Sequence, residues 1–134
     1  MVLPWGIRLL PIAVLVLATS ACGSSQDRVA RDVADRFEAA VADRDGRTAC
    51  ALLAPETLAE LEQSAREPCV EAVVGEGLPG VRDPGQVQVF GTMAQVRYGD
   101  ETLFLARFPE GWKVMAAGCA PEPADRYDCQ VEGG

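Results

Sequence analysis

The spacing of apolar residues changes once along the chain, and this change constrains the fold more than any other feature. Before a glycine-rich loop at residues 75–85, apolar residues recur every three or four positions, which is typical of amphipathic helices. After the loop they alternate at every second position, as in strands with one buried face. Helices followed by strands predict an α+β domain, with helices packed on one face of a curved four-stranded antiparallel sheet.

Three segments with helical spacing and one further turn occupy the N-terminal half. Their predicted bounds are residues 27–45, 49–54, 55–66 and 69–74. Gly46 permits the left-handed conformation that ends the first helix, and Thr48 supplies an N-cap for the second. Pro55 suits the first turn of the third helix, because proline lacks the N–H that this turn leaves unpaired.

The C-terminal half predicts four strands joined by tight turns. Their predicted bounds are residues 86–90, 93–98, 101–108 and 112–117. Short turns rich in glycine between alternating segments indicate an antiparallel meander. Gly118 and Cys119 end the last strand, and residues 120–134 show no periodicity, so we expect them to form an irregular tail.

Residues 1–21 predict a signal peptide. Arg8 precedes an apolar run at residues 9–18, which is too short to span a membrane, because spanning takes roughly 20 residues. Small residues then lead to Cys22, an ending that resembles the lipobox of bacterial lipoproteins, in which the cysteine is lipidated and becomes the new N-terminus. Thr19 departs from the leucine favoured three positions before the cysteine. The alternative is an ordinary secretory signal that leaves Cys22 as a free thiol.

The chain that would remain after cleavage is strongly acidic. Removing Arg8 leaves 11 of the 12 basic residues against 20 acidic ones, a net charge of −9. This balance disfavours nucleic acid and anionic headgroups as partners, because both bind through positive charge. We therefore expect the lipid on Cys22 to hold a short tether, residues 22–26, at the outer face of the cell membrane. A domain at 27–119 and the tail at 120–134 follow.

Four cysteines remain beyond Cys22, namely Cys50, Cys69, Cys119 and Cys129. An even number in a small exported domain predicts two disulfides, for which three pairings are possible. A return between consecutive helices brings Cys50 towards Cys69, and Cys129 then folds the tail back onto Cys119. A metal site is the rival interpretation, but the chain has no histidine and no CxxC pair.

The order of elements resembles the cone fold of nuclear transport factor 2-like (cystatin-like) proteins, and small actinobacterial lipoproteins of that type, over about residues 27–119. The stretches that carry the resemblance are DRVARDVADRFEAAVADRDG, TACALLAPET, AQVRYG, TLFLARF and GWKVMAAGC. The resemblance implies a pocket between the sheet and the first helix, lined by Phe37, Tyr98, Phe104 and Trp112. The alternative is that these aromatic residues fill the core, which we favour for Phe37 and Phe104.

The absence of histidine restricts the chemistry that this domain can perform. No Ser–His or Cys–His nucleophile can form, and no glycine motif for a phosphate cofactor is present, so we assign no catalytic residue and no cofactor. The acids of the turns, Asp43, Asp45, Asp100 and Glu101, are expected in solvent. Glu38, beside Phe37, is the one acid that the pattern leaves as a candidate buried base.

Two functional hypotheses follow. The first is a non-enzymatic lipoprotein of the cell envelope that binds a partner protein or a small apolar molecule. The second is an isomerase or dehydratase of the kind common on the cone fold, which would require a carboxylate base with a raised pKa at the floor of a cavity.

Overall fold

The computed structural model describes residue 2 and residues 22–133, so the predicted signal peptide lies almost entirely outside it. Within this part of the chain, helices precede an antiparallel sheet, which confirms the α+β class. The helices are α1 (Cys22–Ala42), α2 (Gly46–Leu52), α3 (Pro55–Ala65) and α4 (Cys69–Gly75). The strands are β1 (Gln86–Phe90), β2 (Met93–Tyr98), β3 (Glu101–Phe108), β4 (Gly111–Glu122) and β5 (Arg126–Glu132).

The sheet is a meander in which the strands follow one another in the order β1-β2-β3-β4-β5. The first three strands have the predicted bounds, but the prediction of four strands is wrong. β4 continues to Glu122, and the segment predicted as an irregular tail returns along it as β5, from Glu122 opposite Arg126 to Ala116 opposite Glu132. The long β4 supplies the pairing partner that makes this segment a strand.

Helix α1 lies against the sheet through its alanine-rich face. Ala30, Ala34 and Phe37 are fully buried, and the two alanines allow close approach to the strands. The helix begins at Cys22, five residues before the predicted start, so the residues predicted as the tether, 22–26, are helical. At 1.5 Å per residue, its 21 residues span about 30 Å.

The link between α1 and α2 differs from the prediction at three residues. Arg44, with φ 55°, takes the left-handed conformation expected of Gly46, which instead begins α2. Asp45 is the N-cap, because its side chain accepts hydrogen bonds from the backbone N–H and the hydroxyl of Thr48. Gly46 is required for packing, since a Cβ there would lie 2.1 Å from the carbonyl oxygen of Val70 at the start of α4.

The turns of the meander define two ends of the domain. The proximal end holds the β1–β2 and β3–β4 turns, and the distal end holds the β2–β3 and β4–β5 turns. Helix α1 runs from the first to the second: Trp112 Nε1, just after the β3–β4 turn, donates a hydrogen bond to Gln26 Oε1 at 3.0 Å. At the other end of the helix, the backbone of Ala42 lies against Gly80 in the loop that covers the distal end.

The space between α1 and the sheet is filled by side chains. The largest fully buried side chains there include Phe37, Leu103, Leu105, Val96 and Val114. Across the part of the chain that the structure describes, no helix combines the length and apolar composition needed to cross a membrane.

Candidate functional site

Two glutamates are buried between α1 and the distal half of the sheet. Glu38 of α1 has no exposed surface, and its Oε2 accepts a hydrogen bond from the backbone N–H of Val81 at 2.7 Å. Glu101, the first residue of β3, is 7% exposed, and its Oε1 accepts from the backbone N–H of Gly118 at 3.1 Å. Each carboxyl group is therefore held by one backbone donor from a different segment.

The second oxygen of each carboxyl group, Glu38 Oε1 and Glu101 Oε2, receives no hydrogen bond from the described residues. Burial raises the pKa of Glu38 to about 7, and the neighbouring carboxyl group of Glu101 contributes in the same direction. Burial also raises the pKa of Glu101. One proton shared by the two groups would supply the missing donor.

Asp35 and Tyr98 form a second polar contact one helical turn away. The hydroxyl of Tyr98 donates to Asp35 Oδ1 at 2.6 Å, and the same oxygen accepts from the backbone N–H of Gly85 at 3.0 Å. Burial raises the pKa of Tyr98, with a further upward contribution from Asp35, so the phenol stays protonated and acts as a donor. Asp35 thereby joins α1 to the starts of β1 and of the β2–β3 turn.

A cleft of about 580 Å³ opens beside this contact at the distal end. Its lining residues are Val81, Asp83, Pro84, Gln86, Arg97, Tyr98 and Gly99. Asp83, Gln86 and Arg97 are exposed, so the cleft presents charge of both signs beside the ring of Tyr98. This volume is within the range of sites that bind small molecules or short peptide segments.

A smaller cleft of about 200 Å³ lies on the other side of the β2–β3 turn. Its lining residues are Pro79, Asp100, Glu101, Gly118, Cys119, Ala120 and Gln130. Of the two buried glutamates, Glu101 lines this cleft and Glu38 does not.

The four aromatic residues predicted to line one pocket do not meet around a cavity. Of the four, Tyr98 alone lines the larger cleft. Phe37 and Trp112 are buried in the core. Phe104 alternates with the buried Leu103 and Leu105 and so lies on the opposite face of the sheet, where its ring meets Tyr127 at a centroid distance of 4.8 Å.

The acids were placed correctly by sequence except for one. Asp43, Asp45 and Asp100 are exposed, and Asp43 forms an ion pair with Arg82. The expectation that Glu101 is solvated is wrong, because the turn comprises only the two residues before it, and Glu101 pairs with the buried Tyr98 on the same face. Glu38 is buried, as its candidacy as a base required.

The cysteines form the two predicted disulfides. Cys50 is bonded to Cys69, with 6.1 Å between their Cα atoms, and Cys119 to Cys129, with 3.9 Å. Two disulfides in a domain of this size indicate an oxidising, extracytoplasmic compartment. Cys22 is the first residue of α1, and the fate of its thiol remains a prediction. Within the described residues, no group of three or more His, Cys, Asp or Glu side chains is arranged to hold a metal ion.

No protein-family model matches this chain, and comparison with curated proteins and with solved structures finds no match either.

Proposed function

We propose that this chain is an exported domain, held at the outer face of the cell membrane by lipid on Cys22, which binds a partner without catalysis. The observation that carries most of the proposal is the pair of disulfides, because they favour an oxidising compartment. The signal-peptide pattern and the small residues before Cys22 supply the route and the anchor. The order of helices and meander supports assignment to the cone fold of nuclear transport factor 2-like proteins.

The partner that the geometry favours is a segment of another envelope protein. A small apolar ligand would need an apolar cavity, whereas the space between α1 and the sheet is occupied by core side chains. The larger cleft instead offers the exposed side chains of Asp83, Gln86 and Arg97 beside the edge of the largely buried Tyr98. Arginine is enriched at the centres of protein interfaces, where it combines apolar contact area with hydrogen bonding.

Intact mass of the protein extracted from membranes tests the anchor. The expected species starts at Cys22 and carries a diacylglyceryl group, and a Cys22→Ser variant should leave the membrane fraction. A wild-type chain with an unmodified Cys22 thiol would refute the anchor, whereas the disulfide framework would stand.

Crosslinking on living cells tests the binding role. A photoreactive amino acid replacing Arg97 in the cleft should capture a partner protein, and the same group replacing Glu60, an exposed residue of α3, should not. Equal capture from the two positions would argue against the cleft as the binding surface.

A second candidate function is an enzyme with a carboxylate base, which the raised pKa of Glu38 and Glu101 favours. Glu101 would be the base, since it lines the smaller cleft whereas Glu38 is fully buried. Base-promoted ring opening of a nitrobenzisoxazole reports any carboxylate that can reach a bound carbon acid. Faster reaction with wild type than with a Glu101→Gln variant would support this candidate, and equal rates would remove it.

A further inference from the structure

Two large apolar side chains are exposed side by side at the tip of the β1–β2 hairpin. Phe90 is 63% exposed and Met93 is 46% exposed, although both are strand residues. They are directly opposite each other in the antiparallel pair and therefore lie on the same face. Together they form an apolar patch, the hairpin tip, on the proximal end of the domain.

The hairpin tip lies at the same end of the domain as Cys22. The backbone N–H of Arg107 donates to the carbonyl of Thr92 at 2.8 Å, which holds the β1–β2 turn beside the end of β3. Trp112, just after the β3–β4 turn, is bonded to Gln26 of α1. Cys22 precedes Gln26 by four residues, about one helical turn or 6 Å along the axis.

Charge distinguishes the proximal end from the rest of an acidic domain. Around the proximal turns and the first turns of α1, three basic residues accompany two acidic ones: Arg28, Arg107, Lys113, Asp27 and Glu110. In the distal loop and turns, counted in the same way, seven acids accompany three bases: Glu76, Asp83, Asp100, Glu101, Glu122, Asp125, Asp128, Arg82, Arg97 and Arg126. Anionic headgroups therefore repel the distal end of the domain more strongly than the proximal end.

We propose that the hairpin tip docks into the surface of the lipid bilayer, with Phe90 and Met93 entering the boundary between headgroups and acyl chains. This inference rests on the proposed anchor at Cys22. Two apolar side chains bind a bilayer weakly by themselves, but an anchor at the same end of the domain raises their effective concentration at the surface. With the tip docked, α1 holds the distal cleft about 30 Å away along its axis, facing the surroundings.

Tryptophan quenching by brominated acyl chains tests the docking. The processed protein is reconstituted in vesicles of phosphatidylcholine and phosphatidylglycerol, with Phe90→Trp as the probe and Glu122→Trp, exposed at the distal end, as the matched control. The buried Trp112 contributes equally to both samples. Brominated lipid should reduce the additional emission of Phe90→Trp at least twofold and leave that of Glu122→Trp unchanged. Equal quenching of the two variants would overturn the proposal.

A second arm separates failure of the anchor from failure of the docking. The chain beginning at Cys22, which contains every helix and strand described, is coupled through that thiol to a maleimide phospholipid in the same vesicles. If mass analysis finds Cys22 unmodified in cells but the coupled Phe90→Trp chain is quenched, the anchor is refuted and the docking stands. If the coupled Phe90→Trp chain is not quenched, the docking is overturned, whatever the state of Cys22 in cells.

Discussion

The carboxyl groups of Glu38 in α1 and Glu101 in β3 are buried and interact with each other. One oxygen of each group receives no hydrogen bond from the described residues. Their other oxygens are held by backbone N–H groups of Val81 and Gly118. Burial deprives the carboxylate of Glu38 of hydration and the charge of Glu101 repels it, so the folded state retains a proton at a pH where the unfolded chain has released it.

The stability of the protein should therefore fall as the pH rises. Glu38 has a pKa of about 7 in the folded state against an ordinary value of 4.5. Between these values the folded state binds more protons than the unfolded state, so the free energy of unfolding declines with rising pH and the penalty is complete above about pH 7. The full change amounts to about 3 kcal/mol, and urea unfolding across this range measures it.

A Glu38→Gln variant should lose most of this pH dependence. The amide oxygen can still accept from Val81, and the amide nitrogen can donate to Glu101. We expect the variant to be more stable than wild type above neutral pH, by up to about 3 kcal/mol. Glu56→Gln, at an exposed position in the first turn of α3, is the control and should follow wild type. Parallel stability profiles for Glu38→Gln and wild type would contradict the assignment.

Local patterns predicted those parts of the fold that depend on neighbouring residues. Alternation and turn glycines placed β1, β2 and β3 at their observed bounds, and the return between consecutive helices placed Cys50 against Cys69. The prediction missed β5 because it found no periodicity in residues 120–134, although Tyr127, Cys129 and Val131 alternate along this segment. The strand depends on pairing with the extension of β4, which sequence does not show locally.

The candidate site was harder to predict because its residues come from segments far apart in sequence. The sequence left Glu38, beside Phe37, only as a candidate buried base, and its position four residues after the buried Ala34 explains why it lies on the buried face of α1. Nothing local pairs it with Glu101, since their proximity arises from packing α1 on β3. The larger cleft likewise combines a loop residue, Asp83, with Arg97 and Tyr98 of β2.

Removing the hydroxyl of Tyr98 should weaken the attachment of α1 to the sheet. Tyr98→Phe deletes the 2.6 Å hydrogen bond to Asp35 Oδ1. That oxygen then accepts only from the backbone N–H of Gly85 among the described residues. We expect a loss of about 1–2 kcal/mol in the free energy of unfolding, measured in urea. Tyr127→Phe is the control, because the hydroxyl of Tyr127 makes no hydrogen bond with the described residues. An equal effect of both variants would count against the Asp35 contact.

A methyl group at Gly46 should force α2 and α4 apart. A Cβ at this position would lie 2.1 Å from the carbonyl oxygen of Val70, which is backbone and cannot move aside alone. Gly46→Ala should destabilise the fold by about 2–3 kcal/mol, the usual cost of overpacking. At Gly75, in the last turn of α4, the nearest atom to a Cβ is Glu67 Oε1 at 3.9 Å, so Gly75→Ala should be neutral or stabilising by up to about 1 kcal/mol. Thermal unfolding of both variants provides the comparison, and a tolerated Gly46→Ala would contradict the packing.

Replacing Cys119 and Cys129 together by serine should release β5 more than the rest of the sheet. The bridge spans ten positions, and β5 lies at the sheet edge, where β4 is its only neighbouring strand among the described residues. Hydrogen exchange should accelerate in residues 126–132 and remain slow in β2 and β3, with a loss of about 3 kcal/mol in overall stability.

The matched variant lacks Cys50 and Cys69, whose bridge spans 19 positions and joins α2 to α4. That variant should lose protection in these helices while β5 stays protected. Exchange that rises uniformly in both variants would show that neither bridge acts locally.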